Sequence, residues 1–141
     1  MGGVNYGRVV IAGLAAGLVA NVLDFVINAF IMADDAVAMA QRLNLNQEVM
    51  NSTASLVTWV LIDFLYGHVI VFTYAAIRPR FGPGPKTAII AGLVPYLSVT
   101  CVILGFTVMG LFTQDMFIKG TGLSIITMVA ASLTGGALYQ E

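Results

Sequence analysis

Four long runs of apolar residues, separated by polar or turn-forming segments, dominate the pattern of this chain. They cover approximately residues 9–32, 55–77, 87–112 and 116–139. A helix needs about 20 apolar residues to cross the hydrocarbon core of a bilayer, and each run reaches that length. The pattern therefore predicts an all-α membrane protein, a four-transmembrane-helix bundle that forms a single transmembrane domain over residues 1–141.

The composition agrees with a membrane location. Hydrophobic residues make up 59% of the chain and charged residues only 9%, whereas a soluble domain carries about 25% charged residues. Such a chain cannot cover a water-facing surface, so we expect the lipid bilayer to be its main surroundings. The net charge of −1 gives no reason to expect a nucleic-acid partner. The first apolar run is too long for the core of a cleaved signal and is interpreted as a permanent span.

The connections between the apolar runs differ in length. Residues 33–54 form a polar loop in which Asp34 or Asp35 would cap a short helix. Residues 78–86, "RPRFGPGPK", contain three prolines and predict a stiff, non-helical turn. The last connection, "TQD", is so short that the third and fourth spans must form an antiparallel hairpin.

Basic residues predict the orientation, because they favour the cytoplasmic side of a membrane. Four lie on one side of the predicted spans and two on the other: Arg8, Arg78, Arg80 and Lys86 against Arg42 and Lys119. This bias predicts a multi-pass membrane protein with both termini in the cytoplasm and loop 33–54 outside. Arg78, Arg80 and Lys86 would then lie at the level of anionic lipid headgroups.

Small and polar residues recur at helical spacing along the first predicted span: Gly13, Gly17, Asn21, Asp24 and Asn28. We call this set the polar stripe. Gly13 and Gly17 allow another helix backbone to approach closely and are predicted helix-packing positions. A charged carboxylate that faced lipid near the helix centre would cost about 2.5–3.5 kcal/mol, so the stripe is expected to face protein. Ala16 falls outside the stripe and is predicted to face lipid.

A second intramembrane carboxylate, Asp63, lies in the second predicted span. Centring each span on the bilayer places Asp24 and Asp63 at one level, each about 5 Å from the midplane at 1.5 Å per residue. If the two faces meet, the carboxylates are close and cannot both stay ionised in a low dielectric. Two interpretations remain open. Asn21, Asp24, Asn28 and Asp63 form either a hydrogen-bonded seam between helices or a proton or cation site.

His68 is the only histidine of the chain and lies inside the second predicted span. It is about 140° around the helix from Asp63, so it is not expected to share that face. A membrane histidine can ligate a haem or a chlorophyll, carry protons, or bond a neighbouring carbonyl. We favour a packed, hydrogen-bonded histidine. His68 remains a candidate pigment or haem ligand, and the sequence leaves the cofactor unknown.

Motifs of soluble enzymes are missing from the sequence. It contains no cluster of metal ligands, no phosphate-binding glycine loop and no nucleophile beside a histidine. No catalytic residue and no metal site is therefore predicted, and the chain is not expected to be an enzyme. The fourth span offers only hydroxyl groups as further polar groups: Ser124, Thr127, Ser132 and Thr134.

Three stretches carry a resemblance to known proteins. They are "NYGRVVIAGLAAG" with the following "NVLDFVINA", "YAAIRPRFGPGPKTAIIAGL", and the closing "GGALYQE". On these stretches the chain resembles a group of small, uncharacterised bacterial integral membrane proteins with four predicted spans. The resemblance implies bacterial origin and four transmembrane helices, and it implies no site residue, substrate or cofactor.

Two functional hypotheses follow from the sequence. The first is a structural or accessory subunit of a larger bacterial membrane complex, respiratory or photosynthetic, that packs against other membrane subunits or itself through small-residue and polar faces. The second is a small carrier, coupled to protons or another cation, that uses Asp24 and Asp63. Because four spans enclose little space, such a carrier would act as a homo-oligomer.

Overall fold

The computed structural model describes residues 3–139, which form six α-helices and no strand. The helices are α1 (Tyr6–Val26, extended by a π-helical turn, Ile27–Ile31), α2 (Ala33–Arg42), α3 (Gln47–Met50), α4 (Thr53–Phe81), α5 (Pro85–Val108) and α6 (Gln114–Leu138). Four helical stretches are long and apolar enough to cross a membrane: Tyr6–Ile31, Thr53–Phe81, Pro85–Val108 and Gln114–Leu138. The predicted all-helical chain with four candidate spans is confirmed. Residues 1–2 and 140–141 of the predicted domain lie outside the described residues.

The four long helices form a bundle in which one diagonal pair of helices is closer together than the other. α1 packs against α4 and α6, and α5 packs against the same two helices. α4 and α6 also contact each other, so α1 and α5 occupy opposite corners. Successive long helices alternate in direction, so one end of the bundle carries the turn at residues 82–84 and the other carries α2 and α3. We call these the closed end and the open end, because of the difference in packing described next.

Each long helix buries residues only in the half nearer the closed end. The buried residues fall within 9–20 of α1, 67–75 of α4, 87–95 of α5 and 127–135 of α6. The remaining segments, which we call the open half, contain no buried residue: 21–31, 53–66, 96–108 and 114–126. The closed half is therefore a packed core, whereas the open half is not.

Small residues explain how the closed half packs. Lipid chains are as apolar as leucine, so membrane helices associate where small side chains let the backbones approach. Gly67 of α4 lies against the backbone of α1 between Gly13 and Gly17. On the other side of the bundle, Gly92 of α5 lies against Ser132 of α6.

Ala16 corrects the predicted lipid face of α1. Its side chain is 0% exposed, and a Cβ placed on Gly135 of α6 would lie 3.3 Å from the Cβ of Ala16. The prediction assumed one neighbour for α1, but α1 packs on two helices. Gly13 and Gly17 face α4, while Ala12 and Ala16 face α6. Exposed positions of this segment instead include Leu14 and Leu18.

The turns also differ from their predictions. α4 continues through Pro79 to Phe81, so only residues 82–84 form the turn that was predicted over 78–86. Pro79 is tolerated because it removes a single backbone bond near the helix end. The third span was predicted to reach Phe112, but α5 ends at Val108 and Gly110 adopts a φ of 82°.

The start of α2 was predicted to be capped by an aspartate. Its N-cap is Met32, which makes no side-chain capping bond, while Asp34 and Asp35 lie in the first turn. Carboxylates in that turn still favour the helix through its dipole. In contrast, α3 has a side-chain cap, since Asn46 accepts hydrogen bonds from the backbone N–H groups of Glu48 and Val49.

Candidate functional site

The contact between α1 and α4 sets the positions of the polar residues within these two candidate spans. A Cβ on Gly13 would lie 2.7 Å from Cδ2 of His68, and one on Gly17 would lie 2.7 Å from Cα of Phe64. One turn further, Asn21 Nδ2 donates to the carbonyl of Val60 at 3.3 Å. The two helices are thus antiparallel and in a fixed register. Each step of four residues towards the C-terminus of α1 corresponds to a step of four residues towards the N-terminus of α4.

This register separates the two carboxylates along the bundle. It places Asp63 opposite Leu18 and Asp24 opposite Val57, which is an axial offset of about 9 Å at 1.5 Å per residue. The prediction that Asp24 and Asp63 lie at one level is therefore wrong. It aligned the middles of the spans, whereas the register is fixed by the fit of Gly67 between Gly13 and Gly17.

Asp24 is bonded across the bundle to α6 rather than to α4. Thr127 Oγ1 donates to Asp24 Oδ1 at 2.7 Å, and Thr127 is only 3% exposed. Asn28 Nδ2 donates at 2.8 Å to the backbone carbonyl of Asp24, not to its carboxylate. Asn21 Nδ2 likewise donates to a backbone carbonyl of its own helix, that of Gly17, at 2.9 Å. Both asparagine side chains therefore bond to backbone carbonyls, whereas the carboxylate of Asp24 bonds to the Thr127 side chain on another helix.

Asp63 and Tyr66 of α4 are the further polar neighbours of Asp24, within electrostatic range of it, and Tyr66 in turn lies near Tyr96 on α5. Tyr96 Oη donates to the carbonyl of Thr121 on α6 at 3.0 Å. We call Asp24, Asp63, Tyr66, Tyr96 and Thr127 the polar cluster. It takes residues from all four long helices.

The polar cluster lies where the packed half meets the open half. The last buried residue along α1 is Ala20, and the last along α5 is Pro95. In α4 and α6, which run in the opposite direction, the first buried residues are Gly67 and Thr127. Pro95 removes a backbone bond at this level and so favours a change of direction in α5. Asp24, Asp63, Tyr66 and Tyr96 are half-buried. The cluster thus forms the floor of the open half.

No basic side chain neutralises the cluster within residues 3–139. Lys119 forms ion pairs with Asp115 at 2.8 Å and Asp35 at 3.4 Å, at the open end, and not with Asp24. Arg78, Arg80 and Lys86 lie at the closed end, where the Arg78 guanidinium is 5.7 Å from the ring centre of Tyr139. The ion pairs of the described residues therefore give neither Asp24 nor Asp63 a basic partner.

His68 lies in the helix contact, away from the polar cluster. Its Nδ1 donates to the backbone carbonyl of Phe64 at 2.6 Å, and its ring lies against Gly13. In a neutral imidazole, this bond places the hydrogen on Nδ1 and the lone pair on Nε2. A role for His68 as a pigment or haem ligand stays a prediction. Within residues 3–139, no three His, Cys, Asp or Glu side chains are grouped as metal ligands would be.

The pairing of Asp24 with Thr127 was not predicted. Thr127 was recognised only as one hydroxyl of the fourth span, and Tyr96 was not singled out. The position of Tyr96 beside Pro95 was the available signal, because a kinked helix often exposes polar groups to a cavity. Comparisons with protein-family models, with curated proteins and with solved structures find no match for this chain. Function must therefore be inferred from the polar cluster and the open half.

Proposed function

We propose that the protein is a small homo-oligomeric carrier coupled to protons or to another cation, with Asp24 and Asp63 as the coupling site. The observation that supports this proposal is the position of the polar cluster at the floor of the open half. A carrier must expose its site to one side of the membrane while packed helices close the other side. Here the closed half seals one side of Asp24, and segments without buried residues flank the other.

The chemistry of Asp24 suits a group that changes its protonation state. The Thr127 hydroxyl donates to Asp24 at 2.7 Å, and a hydroxyl can also accept. The carboxyl of Asp24 can therefore keep a hydrogen-bond partner both as an anion and as a neutral acid. Asp63 adds a second acidic group within electrostatic range, which strengthens the attraction for a proton or a metal cation.

Proton flux into vesicles tests the role of Asp24. We expect purified protein, reconstituted into liposomes containing a pH-sensitive dye, to acidify the lumen when a potassium diffusion potential is imposed. Asp24→Asn should fold, since an amide resembles a protonated carboxyl in shape and can accept from Thr127. It should nevertheless reduce the flux to the leak of protein-free vesicles, because an amide neither binds nor releases a proton near neutral pH.

Asp34→Asn provides the matched control, since Asp34 is an exposed carboxylate in the first turn of α2, away from the polar cluster. It should leave the flux unchanged. A flux that survives in Asp24→Asn would show that Asp24 is not the coupling residue. If the flux is carried by sodium or potassium in place of protons and is still lost in Asp24→Asn, Asp24 remains the coupling residue and the coupled ion is that metal cation.

An accessory subunit of a respiratory or photosynthetic complex is the second candidate. It is supported by helix surfaces in the open half that nothing in residues 3–139 covers. A Cβ on Gly105 or Gly122 would meet no atom within 4 Å, although glycine in a membrane helix usually marks a close approach. An apolar cavity of about 350 Å³, lined by residues such as Leu104, Phe112 and Ile118, lies between α5 and α6 at the open end.

Gentle solubilisation followed by identification of the co-purifying molecules separates the two candidates. Foreign subunits, a pigment or a haem in fixed proportion to the chain would favour the accessory subunit. A homodimer or larger homo-oligomer without other components would favour the carrier.

For either candidate we propose a bacterial inner-membrane location with both termini in the cytoplasm. The basic residues of the closed end support this orientation. In a variant that lacks Cys101, a cysteine at Gln47 should react with a membrane-impermeant maleimide in intact cells. A cysteine at Gly84 should react only after the cells are opened. The reverse labelling pattern would overturn the orientation, and equal labelling of both sites in sealed cells would contradict a single topology.

A further inference from the structure

The connection between α1 and α4 takes an indirect route across the open end. These two helices pack against each other, and antiparallel neighbours in helical bundles are usually joined by about 2–8 residues. Here the connection comprises residues 32–52 and includes both α2 and α3. A chain that needed only to join neighbours would be much shorter.

Polar contacts show where this connection goes. Asp35 near its start forms an ion pair with Lys119 of α6 at 3.4 Å. Arg42 at the end of α2 donates through Nη1 to the carbonyl of Gly110 and through Nη2 to that of Leu111, each at 2.6 Å. The connection therefore passes over the start of α6, reaches the turn between α5 and α6, and must then return to the start of α4 on the other side of the bundle.

The attachment of this segment is mainly polar and exposed. Ala40 is the one buried residue of α2, and Met32 before it is 9% exposed. Exposed ion pairs contribute little, and a segment with few buried apolar contacts opens at low free energy. The guanidinium of Arg42 is the strongest single link, because it donates to two carbonyls that follow the last turn of α5, where a cation is favoured.

We propose that residues 32–52 form a movable cap over the open half, latched to the α5–α6 turn by Arg42, and that opening of this cap controls access of water-soluble molecules to the polar cluster. The segment lies across the end of the bundle, is held by contacts that water can replace, and borders a half in which no helix residue is buried. Access to the cluster does not depend on carrier activity, so the cap can be tested by itself.

Cysteine accessibility tests the latch in the full-length protein. In a Cys101→Ala background, Ser124→Cys places a thiol on α6 one turn from Thr127, towards the open end. The rate of its reaction with a charged, membrane-impermeant maleimide reports access to the open half. We expect Arg42→Ala to raise this rate about tenfold, which corresponds to the loss of about 1.4 kcal/mol of latch stability. Arg42→Lys, which can make only one of the two bonds well, should give a smaller increase.

Two controls decide whether the latch acts locally. Arg80→Ala removes an exposed arginine at the closed end and should leave the Ser124→Cys rate unchanged. A cysteine at Val71, which is 0% exposed in the closed half, should stay equally unreactive with and without Arg42. The proposal is overturned if Arg42→Ala leaves the Ser124→Cys rate unchanged, or if it raises the rate at both reporters, since the second result means general unfolding. If Arg42→Ala raises the Ser124→Cys rate but the reconstituted protein carries no proton flux, the proposed cap is supported and the proposed carrier function is rejected.

Discussion

Replacing Gly67 with alanine is expected to destabilise the folded protein by about 3 kcal/mol, at the upper end of the usual range for overpacking. The new Cβ would lie 2.6 Å from the carbonyl oxygen of Gly13 and 2.7 Å from Cα of Gly17. It would come closer still to the backbone nitrogen of Gly17. These are backbone atoms, so no side-chain rotation can relieve the contact, and α1 and α4 would have to separate along their length.

Gly105→Ala is the matched control, since it makes the same substitution inside another long helix. Gly105 lies in the open half of α5, where a Cβ would meet nothing within 4 Å. This variant should be more stable by up to about 1 kcal/mol, because alanine has the higher helix propensity. Thermal unfolding in a mild detergent, followed by circular dichroism, would measure both changes. Equal unfolding temperatures for the two variants would show that α1 and α4 do not pack at Gly67.

Much of this contact was foreseeable from the spacing of small residues. Gly13 and Gly17 lie on one face of a single predicted helix, and a close approach there needs only helical periodicity. The register between α1 and α4 was not foreseeable, because it depends on which residue of the partner enters the gap. Aligning the middles of the spans therefore placed Asp24 and Asp63 at one level, whereas Gly67 sets the actual stagger.

The open half could not have been predicted from hydropathy. Leucine, valine and phenylalanine are equally favourable against lipid and against another helix, so hydropathy does not separate residues 96–108 from residues 87–95. The bond between Asp24 and Thr127 joins residues that are 103 positions apart, and periodicity within one helix carries no information about such pairs. The burial of Ala16 was missed for a related reason. The sequence of α1 does not show that a second helix, α6, packs against it.

A compensating pair of substitutions should show that α5 and α6 pack as described in the closed half. Gly92→Ala would place a Cβ onto Ser132 Oγ and 3.0 Å from Met128 Sδ. Ser132 is fully buried and donates to the Met128 carbonyl at 2.6 Å, so its hydroxyl has little room to move. We expect Gly92→Ala alone to lower the stability by about 1–3 kcal/mol.

Ser132→Ala should restore most of that loss when it is combined with Gly92→Ala. By itself it should be nearly neutral, because the hydroxyl bonds only to a carbonyl of its own helix that already belongs to the helical ladder. In the double variant two contacts remain. The flexible Met128 side chain can move its Sδ away from 3.0 Å, and the Cβ of residue 132, at 3.1 Å, needs a shift of only a few tenths of an ångström. A double-mutant cycle from unfolding in detergent should then give a coupling energy of about 1–2 kcal/mol.

Ser124→Ala, on the same helix but two turns away from Ser132, should give no rescue and so provides the control. A rescue that is specific to Ser132 would fix the register of α5 on α6 one turn from Tyr96 and about one turn from Thr127. These two residues of the polar cluster would then be held by the packed half, on a rigid floor. If Ser132→Ala and Ser124→Ala both fail to rescue Gly92→Ala, α5 and α6 do not meet at Gly92, and the floor of the open half is not built as described.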